Sequence, residues 1–244
     1  MFNTSLGFIY QNSTSDQSAT LEQQVNNLPS LGLNGDFVLN ITGKTWVKVY
    51  GEGAFNFSKP DLSGAPRLSL QSLNNNNYEI QAVVGYDVLS YDIMDMSVYG
   101  GLFHKGISHN ANFTINNTTA SFSTLSSTNF TGAVLGTGIT FYEKDFITNV
   151  YAEGYLTSTY GNAEATLMNG GVTTSTNADY KSSGLTGGFG VGTSTDIQIV
   201  DNIWIKPSIK YQMLLAGNLQ SNNSSLSGNN NFQALTFGLG ISWR

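Results

Sequence analysis

Few residues in this 244-residue chain are of types that do chemistry, and their spacing excludes most of what they could do. There is no cysteine, which removes disulfides, thiol catalysis and thiolate-bound zinc or iron–sulfur clusters. There are two histidines, His104 and His109. His109 follows Ser108, but adjacency does not give a nucleophile and base the side-chain hydrogen bond that activation needs. Asp92 and Asp95 flank Met94, and no Asp-x-Asp-x-Asp-Gly run makes a calcium loop. Gly-Gly-Phe-Gly-Val-Gly at 187–192 has the letters of a phosphate loop, yet it lies within an alternating segment with no helix after it. These residues predict no catalytic centre, no metal and no cofactor.

The charged residues are informative through their rarity and parity. They make up 11% of the chain, against roughly 25% in soluble proteins. A net charge of -6 without a basic patch excludes nucleic acid as a partner. No apolar run approaches the roughly 20 residues of a spanning helix. What recurs is two-residue alternation, clearest from Phe232 to Arg244, where Leu235, Phe237, Leu239, Ile241 and Trp243 share one face and Ala234, Thr236, Gly238, Gly240 and Ser242 the other. Strands are expected at 3–13, 33–42, 45–57, 77–88, 94–105, 129–142, 146–160, 183–195, 202–214 and 232–244. Long connections at 14–32, 58–76, 106–128, 161–182 and 215–231 alternate with short turns. That pattern predicts an all-β fold in one domain over 1–244, an antiparallel up-and-down transmembrane barrel of about ten strands, with eight or twelve as alternatives.

Charges supply a test, because a charged side chain facing lipid near mid-bilayer costs roughly 2–4 kcal/mol. With the apolar parity outside, Asp36, Lys48, Glu52, Glu79, Asp87, Asp95, Lys105, Glu153, Lys206, Lys210 and Arg244 all point inward. Lys48, Glu52, Glu79, Asp87, Asp95, Glu153, Lys206 and Lys210 are therefore expected to form a lumenal charge network, with Tyr50, Tyr99, Tyr151 and Tyr155 as lumenal aromatics. Inward Gly132, Gly136, Gly138, Gly188, Gly190 and Gly192 leave room for large neighbours. Trp46, Phe57, Tyr78, Phe141, Trp204, Tyr211 and Trp243, near strand ends, are expected to form the aromatic girdles at the membrane interfaces.

Over essentially its whole length this pattern resembles the small Gram-negative outer-membrane barrels of the opacity-protein and OmpA/OmpX-like superfamily. The resemblance implies residence in the outer membrane of a Gram-negative bacterium and an export signal, which is expected to have been removed or to be missing from this chain. It implies contact with outer-membrane lipid and recognition by the barrel-assembly machinery through the last strand, Leu235, Phe237, Leu239, Ile241 and Trp243, although Arg244 follows the terminal aromatic. The expected function is that of a monomeric, non-enzymatic anchor, its lumen plugged by polar side chains. The segments 14–32, 58–76, 106–128, 161–182 and 215–231 would contact an extracellular ligand. Two alternatives are a narrow porin-like channel for ions or small solutes and a surface hydrolase. Omptin-type proteases resemble the expected strand number, but they use paired aspartates and an Asp/His couple at the rim, for which neither histidine here is suited.

Overall fold

The computed structural model describes residues 2–16, 29–56, 68–217, 219–221 and 231–243. The strands are β1 (Phe2–Asp16), β2 (Pro29–Asn40), β3 (Thr45–Asn56), β4 (Leu68–Tyr91), β5 (Met94–Ile115), β6 (Ser121–Glu143), β7 (Phe146–Asn169), β8 (Val172–Ser182), β9 (Thr186–Val200), β10 (Ile203–Leu214), β11 (Leu219–Ser221) and β12 (Asn231–Trp243). Ten of them close an antiparallel barrel: β1 pairs with both β2 and β12, β12 with β10, β10 with β9, and β9 with the first half of β7. The second half of β7 pairs instead with β8, whose last residues pair with β11.

Short turns lie at one end, at 41–44, 92–93, 144–145 and 201–202. At the other end β4 to β7 run on well past the expected limits. The segments 106–128 and 161–182 prove to be largely strand, as does the end of 58–76 from Leu68 on. Their inward face is buried at Ile107, Phe113, Thr128, Ala178 and Tyr180, but Ser, Thr and Asn occupy so many positions on both faces that the apolar alternation is weak. Asn74 to Asn76, expected in a loop, pair with Asn110, His109 and Ser108 of β5. The β7–β8 hairpin turns on Gly170 and Gly171, whose φ of 57° and 84° suit the two-residue turn that matches strand twist.

Outward side chains form an apolar belt. Phe8 is 75%, Leu102 73% and Leu135 70% exposed, and a surface of this kind needs a hydrocarbon solvent. Across β4 to β7 the paired row Ala82, Leu102, Ala133 and Leu156 is apolar. Two rows further on, Tyr78, Gly106, Asn129 and Tyr160 continue to Lys181, and beyond them come Asn76, Ser108, Ser127, Asn162 and Asp179. The exterior thus passes from oil to water over the six residues from Ala82 to Asn76, about 20 Å of strand rise.

Candidate functional site

The lumen holds the charged residues. Lys105 of β5 places Nζ 3.3 Å from Glu52 Oε1, 3.0 Å from Glu79 Oε2 and 2.9 Å from Gln212 Oε1. Lys210 of β10 lies 2.6 Å from Glu79 Oε1 and 3.8 Å from Glu52 Oε2. Two ammonium groups and two carboxylates thus make an electrically balanced cluster. Tyr50 donates to Glu52, and Gln81 donates to Glu79 at 2.8 Å. The side chains of Lys105, Glu52 and Glu79 have no exposed surface. Burial at that level is tolerated only where the charges are paired and their remaining sites hydrogen-bonded. Lys105 belongs to the inward parity of its strand, and it is the residue that ties together the glutamates of β3 and β4.

Apolar side chains pack around the cluster. Phe103, Phe130, Val134 and Tyr155 pack beside the cluster, and Ile107, Leu214 and Phe232 lie on its long-strand side. The rings of Phe103 and Tyr155 are 4.6 Å apart, and the Lys105 ammonium sits 4.5 Å from the centre of Phe232. Glycines across the wall admit the rings: a Cβ on Gly136 would lie 2.3 Å from the Tyr99 ring, and one on Gly192 would lie 2.5 Å from that of Tyr151. Ion cluster and apolar layer lie together inside the barrel.

On the turn side of this cluster the lumen widens into a vestibule of about 280 Å3. Asp36 receives Lys206 at 2.8 Å and Lys48 at 3.8 Å. Glu153 accepts the Tyr99 hydroxyl at 3.0 Å and that of Tyr155. Asp95 accepts the Tyr142 hydroxyl at 2.6 Å, and Asp196, one residue beyond the expected strand 183–195, accepts Ser242 at 2.7 Å. Of the expected network, Glu52, Glu79 and Lys210 meet directly and Lys48 and Lys206 share Asp36, whereas Asp87, Asp95 and Glu153 stand apart from both groups. Tyr50, Tyr99, Tyr151 and Tyr155 all point inward.

Two expected girdle residues do not belong there. Trp46 points into the lumen, donates its indole N–H to Asp87 at 3.0 Å and packs against Tyr99. Trp204 is also inward and buried. Both have the parity of their strands' lysines, Lys48 and Lys206, and a buried indole needs an acceptor that the lumen offers and lipid does not. Tyr78, Phe141, Tyr211 and Trp243 have the outward parity, and Phe57 and Arg244 lie outside the described residues. His104 is outward, between Tyr78 at 3.0 Å and Thr131 at 2.7 Å. His109, expected in a loop, faces inward from β5 beside Asn75 at 2.9 Å. No group of three or more His, Asp or Glu that could hold a metal occurs among the described residues.

A closed ten-strand wall, a lipid-compatible belt and the absence of charge from the described outward positions of that belt define a transmembrane β-barrel of the outer-membrane type. The comparisons agree at the level of fold. The outer-membrane protease OmpT from Escherichia coli superposes with a TM-score of 0.68 at 8% identity, covering 99% of this chain and 96% of that one. Neisserial surface protein A (TM-score 0.41, 11% identity, 99% and 96% covered) and the attachment invasion locus protein Ail of Yersinia pestis (0.35, 10%, 99% and 97%) are also similar. No family model and no curated sequence matches the chain.

Proposed function

We propose that this chain is a surface protein of the Gram-negative outer membrane, a monomeric barrel that anchors and does not conduct. Its task then falls to the strands and loops it raises above the lipid. The observation that supports this reading is the burial of the Glu52–Lys105–Glu79–Lys210 cluster and of the apolar layer inside the lumen, which together would block it. A closed barrel of this strand number has little free interior to begin with. With the short turns in the periplasm, β4 to β8 project outward as a polar, Asn/Ser/Thr-rich sheet suited to contacting an extracellular ligand. Leu235, Phe237, Leu239, Ile241 and Trp243 of β12 offer the assembly machinery an outward apolar stripe. Binding is favoured over catalysis because His104 is engaged by Tyr78 and Thr131 and His109 by Asn75, and neither is hydrogen-bonded to a carboxylate.

The test is planar-bilayer recording with protein whose gel mobility changes on boiling, the mark of a folded barrel. A silent bilayer at every voltage is expected. Reproducible conductance steps overturn the sealed-anchor reading, and identical mobility before and after boiling overturns the barrel itself.

A further inference from the structure

We propose that the vestibule on the turn side of the ion cluster is a binding site for a basic amino acid, free or at the end of a peptide, with arginine the best match. This goes beyond the anchoring role, and it depends on that reading only for the compartment the mouth faces, the periplasm.

The vestibule is electrically polarised. On the wall built by β4, β5 and β7, Asp87 is hydrogen-bonded to the Trp46 indole, Asp95 to the Tyr142 hydroxyl, and Glu153 to the hydroxyls of Tyr99 and Tyr155. All these donors are neutral, and none of the three carboxylates forms an ion pair among the described residues. On the wall built by β2, β3 and β10, Lys48 and Lys206 share a single carboxylate, Asp36. Lys48 is the looser partner, at 3.8 Å, with 36% of its side chain exposed. One wall thus carries three carboxylates and no cation, whereas on the other Lys48 and Lys206 are balanced by Asp36 and by Asp196 of β9, which accepts from Ser242, so the vestibule as a whole is negative. Low-dielectric walls concentrate such a field and favour a solute of matching polarity.

A matching solute has a carboxylate at one end and more than one cationic group. Its carboxylate goes to Lys48 and the α-ammonium beside it to Glu153, and the cation at the far end of its side chain goes to Asp87 and Asp95. The Trp46 and Tyr99 rings, 5.7 Å apart, stand beside these acids. A guanidinium stacks on aromatic faces and forks to carboxylates, which an ammonium does less well. The 280 Å3 volume falls just below the ~300–1,000 Å3 of pockets for drug-sized ligands, which suits a single amino acid.

The experiment is calorimetric titration of the folded barrel in micelles with L-arginine, agmatine (which lacks the carboxylate) and L-citrulline (which lacks the charged guanidinium). Saturable binding of arginine is expected, with citrulline at least about tenfold weaker, the equivalent of one lost charge-assisted contact. Lys48→Gln should weaken arginine and leave agmatine unchanged, and Asp87→Asn with Asp95→Asn should weaken both. Absence of saturable heat with protein of boiling-dependent mobility overturns the site and spares the barrel. So does equal affinity for arginine and citrulline, a comparison that needs no variant to fold. Protein without that mobility shift sinks both.

Discussion

Lys105 is the residue on which the interior depends most. Removing its ammonium leaves Glu52 and Glu79 with Lys210 alone, so that one buried carboxylate is uncompensated. Breaking a buried pair in this way costs about 3–5 kcal/mol. Lys105→Met should therefore lower the urea midpoint of unfolding from micelles by that equivalent, yet remain non-conducting, because Phe103, Phe130, Leu214 and Phe232 still pack within the lumen. Current through this variant would show that the ions alone are the seal. Gly85 is a second sensitive position, for steric reasons: a Cβ there would lie 2.1 Å from the Trp46 ring. Gly85→Ala must push the indole off Asp87, at about 1–3 kcal/mol for overpacking. An unchanged indole N–H resonance would contradict the inward placement of Trp46. That placement was available from parity alone. The expectation of a girdle followed residue type, and for Trp46 and Trp204 parity was the better guide.

At the scale of the strand, the membrane-spanning part was legible and the rest was not. Every described charge assigned inward by parity lies inward, because lipid penalises the other choice at each position independently. Which charges touch was not legible, since contacts across the lumen depend on the stagger of the whole barrel and not on any one strand. The upper halves of β5 to β8 left only a weak periodic signature, because Ser, Thr and Asn stand at many positions of both faces, although Ile107, Ala111, Phe113 and Tyr180 are buried on the inward one. One titratable group in that upper region has a testable consequence. Burial holds the His109 imidazole down to about 4, from an ordinary 6.5. Between those values the unfolded chain binds a proton that the folded one does not, so stability is complete above about pH 6.5 and declines as pH falls toward 4. His109→Asn should remove this component. The difference in urea midpoint between variant and parent should therefore shift toward the variant as pH drops across that window, and a constant difference would exclude a buried, neutral His109.

For the whole molecule, the sorting of charge is the membrane assignment in physical form. Leu135, 70% exposed on β6, is paired with Gly100 and Gly154 within the apolar belt. Leu135→Arg should cost roughly 2–4 kcal/mol when the barrel is refolded into a bilayer, while the same change at a loop-end outward position such as Ser127 should cost almost nothing. Equal effects at the two positions would mean that the belt does not face lipid.

The length of β4 to β7 has a mechanical meaning. From the turns at one end to the tip at the other, the β5–β6 and β6–β7 ladders run without a change of register. The projecting sheet is thus a continuation of the wall, with no hinge between them. Force applied at the tip passes along the strands as shear, spread over many hydrogen bonds at once, instead of peeling them apart singly. A contact made by this surface would be borne by the full depth of the barrel, as a load on a post is borne by the part set in the ground.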